Sequence, residues 1–156
     1  MKLLIIYDSV FGNTEKIAKA IASSLETKGD VNLCHVNHAK TEMLNGIDVL
    51  IIGSPTRGFR ATVPISNFLN DIAPKSLKGL RFAAFDTRID LKTIKFFAFR
   101  YLVNKGGYAA NVISEKLIKL GGTPIVKPEG FLVTGEEGPL KTGELERANL
   151  WLSGIE

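Results

Sequence analysis

The chain has 156 residues, 45% of them hydrophobic and 23% charged, proportions that exclude a disordered polymer or a fibrous repeat and suit one core. Its formal net charge of +4 raises the question of a polyanion partner, but no RNA-binding motif accompanies the charge and no nucleic acid is expected. The apolar run Leu3 to Tyr7 meets Asp8 at once and is far shorter than the ~18 residues that span a bilayer, so neither a signal peptide nor membrane insertion is expected.

The elements alternate along the chain. Lys2 to Asp8 is an apolar run closed by a polar residue, the pattern of a strand buried on both faces. Asn13 or Thr14 then caps a helix in which Ile17, Ala18, Ile21, Ala22 and Leu25 recur at spacings of three and four. Val31 to Val36 reads as a half-polar strand and Ile47 to Gly53 as a second strongly buried one. Cys34 is the only cysteine; with no disulfide partner it suits a reducing, cytoplasmic setting. With His35 and His38 it falls one ligand short of a structural zinc site, and no metal is expected.

A helix from Val63 to Ile72 puts Ile65, Phe68, Leu69 and Ile72 on one side. Leu80 to Phe85 is the next strand, and Asn111 to Leu120 a helix stopped by Gly121 and Gly122. Thr123 to Val126 and Gly130 to Thr134 are short strand segments, and a last helix begins near Thr142. Glu136, Glu137, Glu144 and Glu146 flank its start, where negative charge suits the helix dipole, and take no catalytic part. Repeated βα units of this length predict an α/β fold, a parallel sheet with helices on both faces. No repeat or linker interrupts it, so residues 1–156 are expected to form a single domain. Ligands of such sheets bind beyond the carboxyl ends of the strands, where strand order reverses.

Ser9-Val10-Phe11-Gly12-Asn13-Thr14 leads from the first strand into the first helix. A short turn bearing hydroxyls and glycine at a helix N-terminus is a nest of free backbone N–H groups, a phosphate site. It is neither a Walker loop nor a dinucleotide loop, since GxxxxGK and GxGxxG are both absent. After the third strand comes Pro55-Thr56-Arg57-Gly58-Phe59, where Pro55 stiffens the exit and Gly58 permits backbone angles closed to other residues. After Phe85 comes Asp86-Thr87-Arg88.

Tyr7 to Lys16 resembles the FMN-phosphate loop of the flavodoxin family, whose pattern is hydroxyl-x-hydroxyl-Gly-x-Thr. Ser9, Gly12, Asn13 and Thr14 match, and Phe11 stands where the family usually has Thr. An aromatic there is similar to the flavodoxin domains of flavodiiron proteins and to quinone reductases of the tryptophan-repressor-binding-protein type. The resemblance implies a flavodoxin-like, doubly wound five-stranded sheet of order 2-1-3-4-5. It also implies FMN as cofactor, bound by residues 9–14, with the phosphate on Ser9, on the backbone N–H groups of residues 11–14 and on the Ser9 and Thr14 hydroxyls. Thr56 and Gly58 would then flank the flavin, the Gly58 carbonyl accepting from the reduced flavin N5–H. Asp86 and Thr87 would offer backbone N–H groups to its pyrimidine edge, beside Arg88. Arg57 stands where many flavodoxins have a stacking Trp, and no Tyr follows Arg88 at the family's spacing.

The function implied is electron transfer between redox partner proteins, with no catalytic acid, base or nucleophile required. The alternatives are an NAD(P)H-dependent FMN quinone or small-molecule reductase, with Arg57, Arg60 and Arg88 on a nicotinamide phosphate, and a flavin-free interaction module. From Ile89 to Lys105 the chain is longer and more basic than the family pattern. Arg88, Lys92, Lys95, Arg100 and Lys105 oppose only Asp90 there. This segment is expected to act as a basic lid whose Phe96, Phe97, Phe99 or Tyr101 covers flavin or partner, and its charge points to an acidic redox partner.

Overall fold

A computed structural model describes residues 1–90 and 107–156. The basic lid expected of the Ile89 to Lys105 stretch therefore lies, apart from its first two residues, outside the described part. Strands β1 (Lys2–Tyr7), β2 (Asp30–His35), β3 (Val49–Pro55), β4 (Arg81–Ile89), β5 (Thr123–Pro124) and β6 (Glu129–Val133) form one sheet. Among the described residues the helices are α1 (Asn13–Leu25), α2 (Val63–Asp71), α3 (Ala109–Lys119) and α4 (Glu144–Trp151), with short 3-10 turns at Val36–His38 and Thr41–Leu44.

The sheet is parallel and runs β2-β1-β3-β4-β5, with β6 also on β4. The fifth position is thus shared by two short strands separated by residues 125–128. Strand alternation sorts the core into two layers. Leu4, Ile6, Leu50, Ile52, Phe82 and Ala84 point to one face, under α2 and α3. Leu3, Ile5, Val49, Ile51, Ala83 and Phe85 point to the other, under α1 and α4. Continuous apolar runs were readable as strands because both faces are covered. The edge strand β2 is half-polar because only one side of it needs burial.

Two expectations are corrected by the fold. Neither Asn13 nor Thr14 caps α1: the cap is Gly12, in the left-handed region at φ 91°, and both polar residues lie buried inside the first turn. The strand expected to end at Phe85 continues to Ile89, because Asp86, Thr87 and Arg88 pair with β3 and β6. Polar residues continue the strand here since each finds a partner, as the next section describes.

The strand ends are staggered in a way that opens a site. Tyr7, the last residue of β1, is level with Gly53, while β3 runs on to Pro55 and β4 to Ile89. A step is left above the N-terminus of α1, walled by the extensions of β3 and β4. It lies between β1 and β3, where the chain changes direction through the sheet, the location at which α/β sheets bind ligands.

Candidate functional site

The step holds a crevice of about 460 Å³, within the roughly 300–1,000 Å³ range of small-molecule sites. Its floor is the turn into α1. Ser9 Oγ accepts from the N–H groups of Gly12 (3.1 Å) and Glu15 (3.3 Å), folding the turn on itself. The N–H groups of Val10, Phe11, Asn13 and Thr14 have no acceptor among the described residues. Gly12 is demanded by its positive φ and not by crowding, since a Cβ there meets nothing within 4 Å. These donors, at the positive end of a 13-residue helix, match a phosphate dianion in number and charge.

Side chains tie this floor to its surroundings. Thr14 Oγ1 and Thr87 Oγ1 lie 2.8 Å apart in the interior, linking α1 to β4. Asn13 Nδ2 donates to the Glu137 carbonyl at 3.0 Å, holding the loop after β6 against the turn. Beneath, Asp8 accepts from the Ser9 N–H at 2.9 Å and approaches His35 Nε2 at 3.4 Å.

The second wall is the loop after β3. Arg57 and Arg60 exchange backbone hydrogen bonds of 2.9 and 3.2 Å, closing a two-residue turn in which Gly58 (φ 54°) and Phe59 (φ 66°) are both left-handed. This is a type I′ turn. Thr56 donates its N–H to the Thr87 carbonyl at 2.9 Å, and its Oγ1 accepts from Ala109 N–H at 2.9 Å. The Arg57 guanidinium stands 5.4 Å from the Phe11 ring centre, so one cation and one ring bridge the first two loops.

The third wall is a buried charge cluster. Asp86 is fully buried and receives two hydrogen bonds of 2.7 Å from Arg88 Nε and Nη2 and one of 3.0 Å from Ala110 N–H. The Arg88 guanidinium also lies 3.5 Å from the centre of the Tyr108 ring. Burial pushes the Asp86 carboxyl above the usual range, against the pull of Arg88. Burial likewise raises Tyr108, and Arg88 opposes it.

Most of the sequence-derived site residues meet in this crevice. Val10, Phe11, Asn13 and Thr14 line it, as do Pro55, Thr56, Arg57, Gly58 and Phe59, and Thr87 with Arg88. Ser9, Gly12 and Asp86 shape it from behind and do not line it. Asp86 and Thr87 differ from expectation: they belong to the β4 ladder and not to a free loop. Tyr108 and Val133, which the sequence did not mark as site residues, complete the lining together with Ile89, the first residue of the expected basic segment, and Glu136, expected only to flank the last helix. Tyr108 reaches the site from across the 91–106 segment, so local spacing could not reveal it. A lone aromatic just before the small pair Ala109-Ala110 at a helix start was the one available clue.

Cys34, His35 and His38 stay near one another only as neighbours on β2 and the following turn. The His35 ring sits 5.3 Å from Tyr7 and 6.4 Å from His38, edge to face, and among the described residues no group of three candidate ligands could hold a metal ion. Among the described residues no helix is long and apolar enough to cross a membrane.

Comparison with known proteins gives the same direction. Residues 4–95 match the family model described as Flavodoxin domain. A flavodoxin of Aquifex aeolicus (strain VF5) is 38% identical over 74 residues, 46% of this chain and 40% of that protein. A flavodoxin of Clostridium saccharobutylicum is 23% identical over 97% of this chain and 92% of its own length. The crystal structure of oxidised Flavodoxin 2 from Bacillus cereus superposes with a TM-score of 0.74 at 24% identity, covering 97% of this chain and 94% of the other.

Proposed function

This chain belongs to the flavodoxin family of FMN-binding electron-transfer proteins, and on that premise we propose that it binds FMN in the crevice above α1 and carries electrons between redox partners. The observation that carries the reading is the set of four backbone N–H groups at residues 10, 11, 13 and 14 without acceptors among the described residues, at a helix N-terminus that opens into the crevice. Bound FMN supplies reversible one- and two-electron chemistry.

The residues of this chain bind, orient and shield. Val10, Phe11, Asn13 and Thr14 would hold the phosphate through backbone N–H groups. The Ser9 hydroxyl serves the turn as an acceptor and retains one proton to donate. Pro55 to Phe59 on one side and Thr87, Arg88 and Tyr108 on the other would bracket the ring system. Phe11, 42% exposed, offers apolar cover at the mouth, and the Gly58 carbonyl lies in the turn that faces it.

The chain acts as one domain over residues 1–156: Ala148 of its last helix and Leu152 just beyond it pack into the same layer as Ile17 and Ile21 of the first. A cytoplasmic setting suits its single, buried free thiol. Its partner is an acidic redox protein, a reading supported by Lys92, Lys95, Arg100 and Lys105 in the sequence. Arg88 is no longer part of that argument, because it turns into the crevice and its pair with Asp86 carries no net charge toward a distant partner. The role is that of a carrier, so purified protein with FMN should not turn over NADH or NADPH by itself. Titration of the protein with FMN, followed by flavin fluorescence, tests the reading: saturable quenching at one flavin per chain is expected, and absence of binding refutes it.

A further inference from the structure

Arg88 is a charged wall of the crevice. It lines the crevice, whereas its partner Asp86 does not. Asp86 is fully buried and the Arg88 side chain is 18% exposed, so the pair is a dipole with its positive end toward the crevice. Three contacts hold that orientation: the two 2.7 Å bonds to Asp86 and the Tyr108 ring 3.5 Å from the guanidinium carbon. Asp86 is itself anchored by Ala110 N–H at the start of α3. A guanidinium has five N–H donors and the pair with Asp86 uses two.

We propose that Arg88, fixed by Asp86 and Tyr108, raises the affinity of the crevice for reduced flavin relative to oxidised flavin. The inference rests on the FMN reading above. Each electron added to a flavin adds negative charge unless a proton follows, and a fixed cation favours whichever state carries more of it. The dipole is held in place before reduction, so no reorganisation is needed when the charge arrives. Asp86 opposes this attraction but stands behind the guanidinium, and the nearer charge dominates. Asp86 and Tyr108 are positioning residues; Arg88 is the group that faces the crevice.

The test compares wild type with Arg88→Gln, measuring the FMN dissociation constant of the oxidised protein and both midpoint potentials. Loss of the cation is expected to weaken binding of fully reduced FMN about tenfold more than binding of oxidised FMN. Across the two-electron couple that ratio is a fall of about 30 mV in the mean of the two midpoint potentials. Arg88→Lys, which keeps charge but not the bidentate fork, should fall between the two. Should Arg88→Gln fail to fold with Asp86 left unpaired, the double variant Asp86→Asn/Arg88→Gln removes both charges together and should show the same direction of shift. Potentials equal to wild type, or equal losses of affinity for both oxidation states, would overturn the proposal and leave Arg88 a structural partner of Asp86. Wild-type protein that takes up no FMN refutes the functional reading, and this inference with it, before any variant is compared.

Discussion

Two arginines in this molecule are held the same way in different places. Arg88 is paired with buried Asp86 and stacked on Tyr108; Arg147 is paired with buried Glu144, at 2.7 Å, and lies 4.5 Å from the centre of the Phe131 ring. Their carboxylates titrate in opposite directions. Burial raises both, but Arg147 and the Leu132 N–H outweigh it at Glu144, whose pKa is lowered, while burial prevails at Asp86, whose pKa is raised. The Glu144 cluster fastens α4 to β6, with Leu132 N–H donating to Glu144 at 2.6 Å and Arg147 reaching the Gly130 carbonyl and Glu129. The Asp86 cluster faces the crevice. Both carboxylates accept three hydrogen bonds, and the one buried more deeply is Asp86; one chemical unit thus serves as a scaffold clasp in one place and as part of a site wall in the other.

The comparison breaks if affinity, stability and rate do not separate by region. The largest effect is expected at the phosphate floor. Gly12→Val with Thr14→Val forces a β-branched residue to φ 91° and removes a hydroxyl from the Thr14–Thr87 contact. Loss of charged hydrogen bonds of roughly 1.5–3 kcal/mol each predicts FMN affinity down about a hundredfold, measured by fluorescence titration. Unchanged affinity would move the phosphate elsewhere.

Next in size is the scaffold clasp. Glu144→Ala leaves Leu132 N–H and Arg147 without their carboxylate and should lower unfolding free energy by about 2 kcal/mol in urea, with both flavin potentials unmoved. Because Arg147 and the Leu132 N–H hold the Glu144 carboxyl below the usual glutamate range, its contribution is present above that range and is lost as pH falls through the folded pKa. Wild type should therefore lose stability on acidification below that point more steeply than Glu144→Gln. Parallel pH profiles would deny the clasp its role.

Much of this was legible before the structure. Apolar runs and helical spacing gave the order of elements, since the two-layer core leaves little choice of face, and the turn before α1 announced itself because a phosphate nest is built from contiguous backbone. The β4 wall was not legible. Asp86-Thr87-Arg88 looks like a loop because its burial depends on partners remote in sequence: Ala110, Thr14 and Tyr108. The cap of α1 was misassigned for a related reason, since Asn13 and Thr14, good capping residues in isolation, are turned inward to Glu137 and Thr87.

A smaller effect is expected at the second loop. Phe59 sits at φ 66°, a conformation that costs a residue with a side chain about 1–2 kcal/mol and glycine little. Phe59→Gly should raise stability of the flavin-free protein by about 1 kcal/mol or less, the gain being reduced by the added freedom of the unfolded chain. A loss of stability would show that the ring contributes more than the backbone strain removes. Gly58→Val, at φ 54°, should act oppositely and should also narrow the gap between the two flavin potentials in a reductive titration.

The smallest effect concerns partner encounter. Replacing Lys92, Lys95 and Arg100 by Glu should slow electron transfer to an acidic redox protein several-fold at low ionic strength, the difference fading as salt shortens the Debye length toward about 8 Å. FMN affinity should be nearly unaltered. Equal rates at every ionic strength would remove the basic segment from partner recognition.

The most direct test of the central claim is the visible absorption spectrum of the protein after incubation with FMN and gel filtration. A yellow protein carrying one flavin per chain, with Gly12→Val/Thr14→Val eluting largely colourless under the same conditions, is the predicted result. A wild-type protein that elutes colourless, or a variant that retains as much flavin as wild type, would contradict the account.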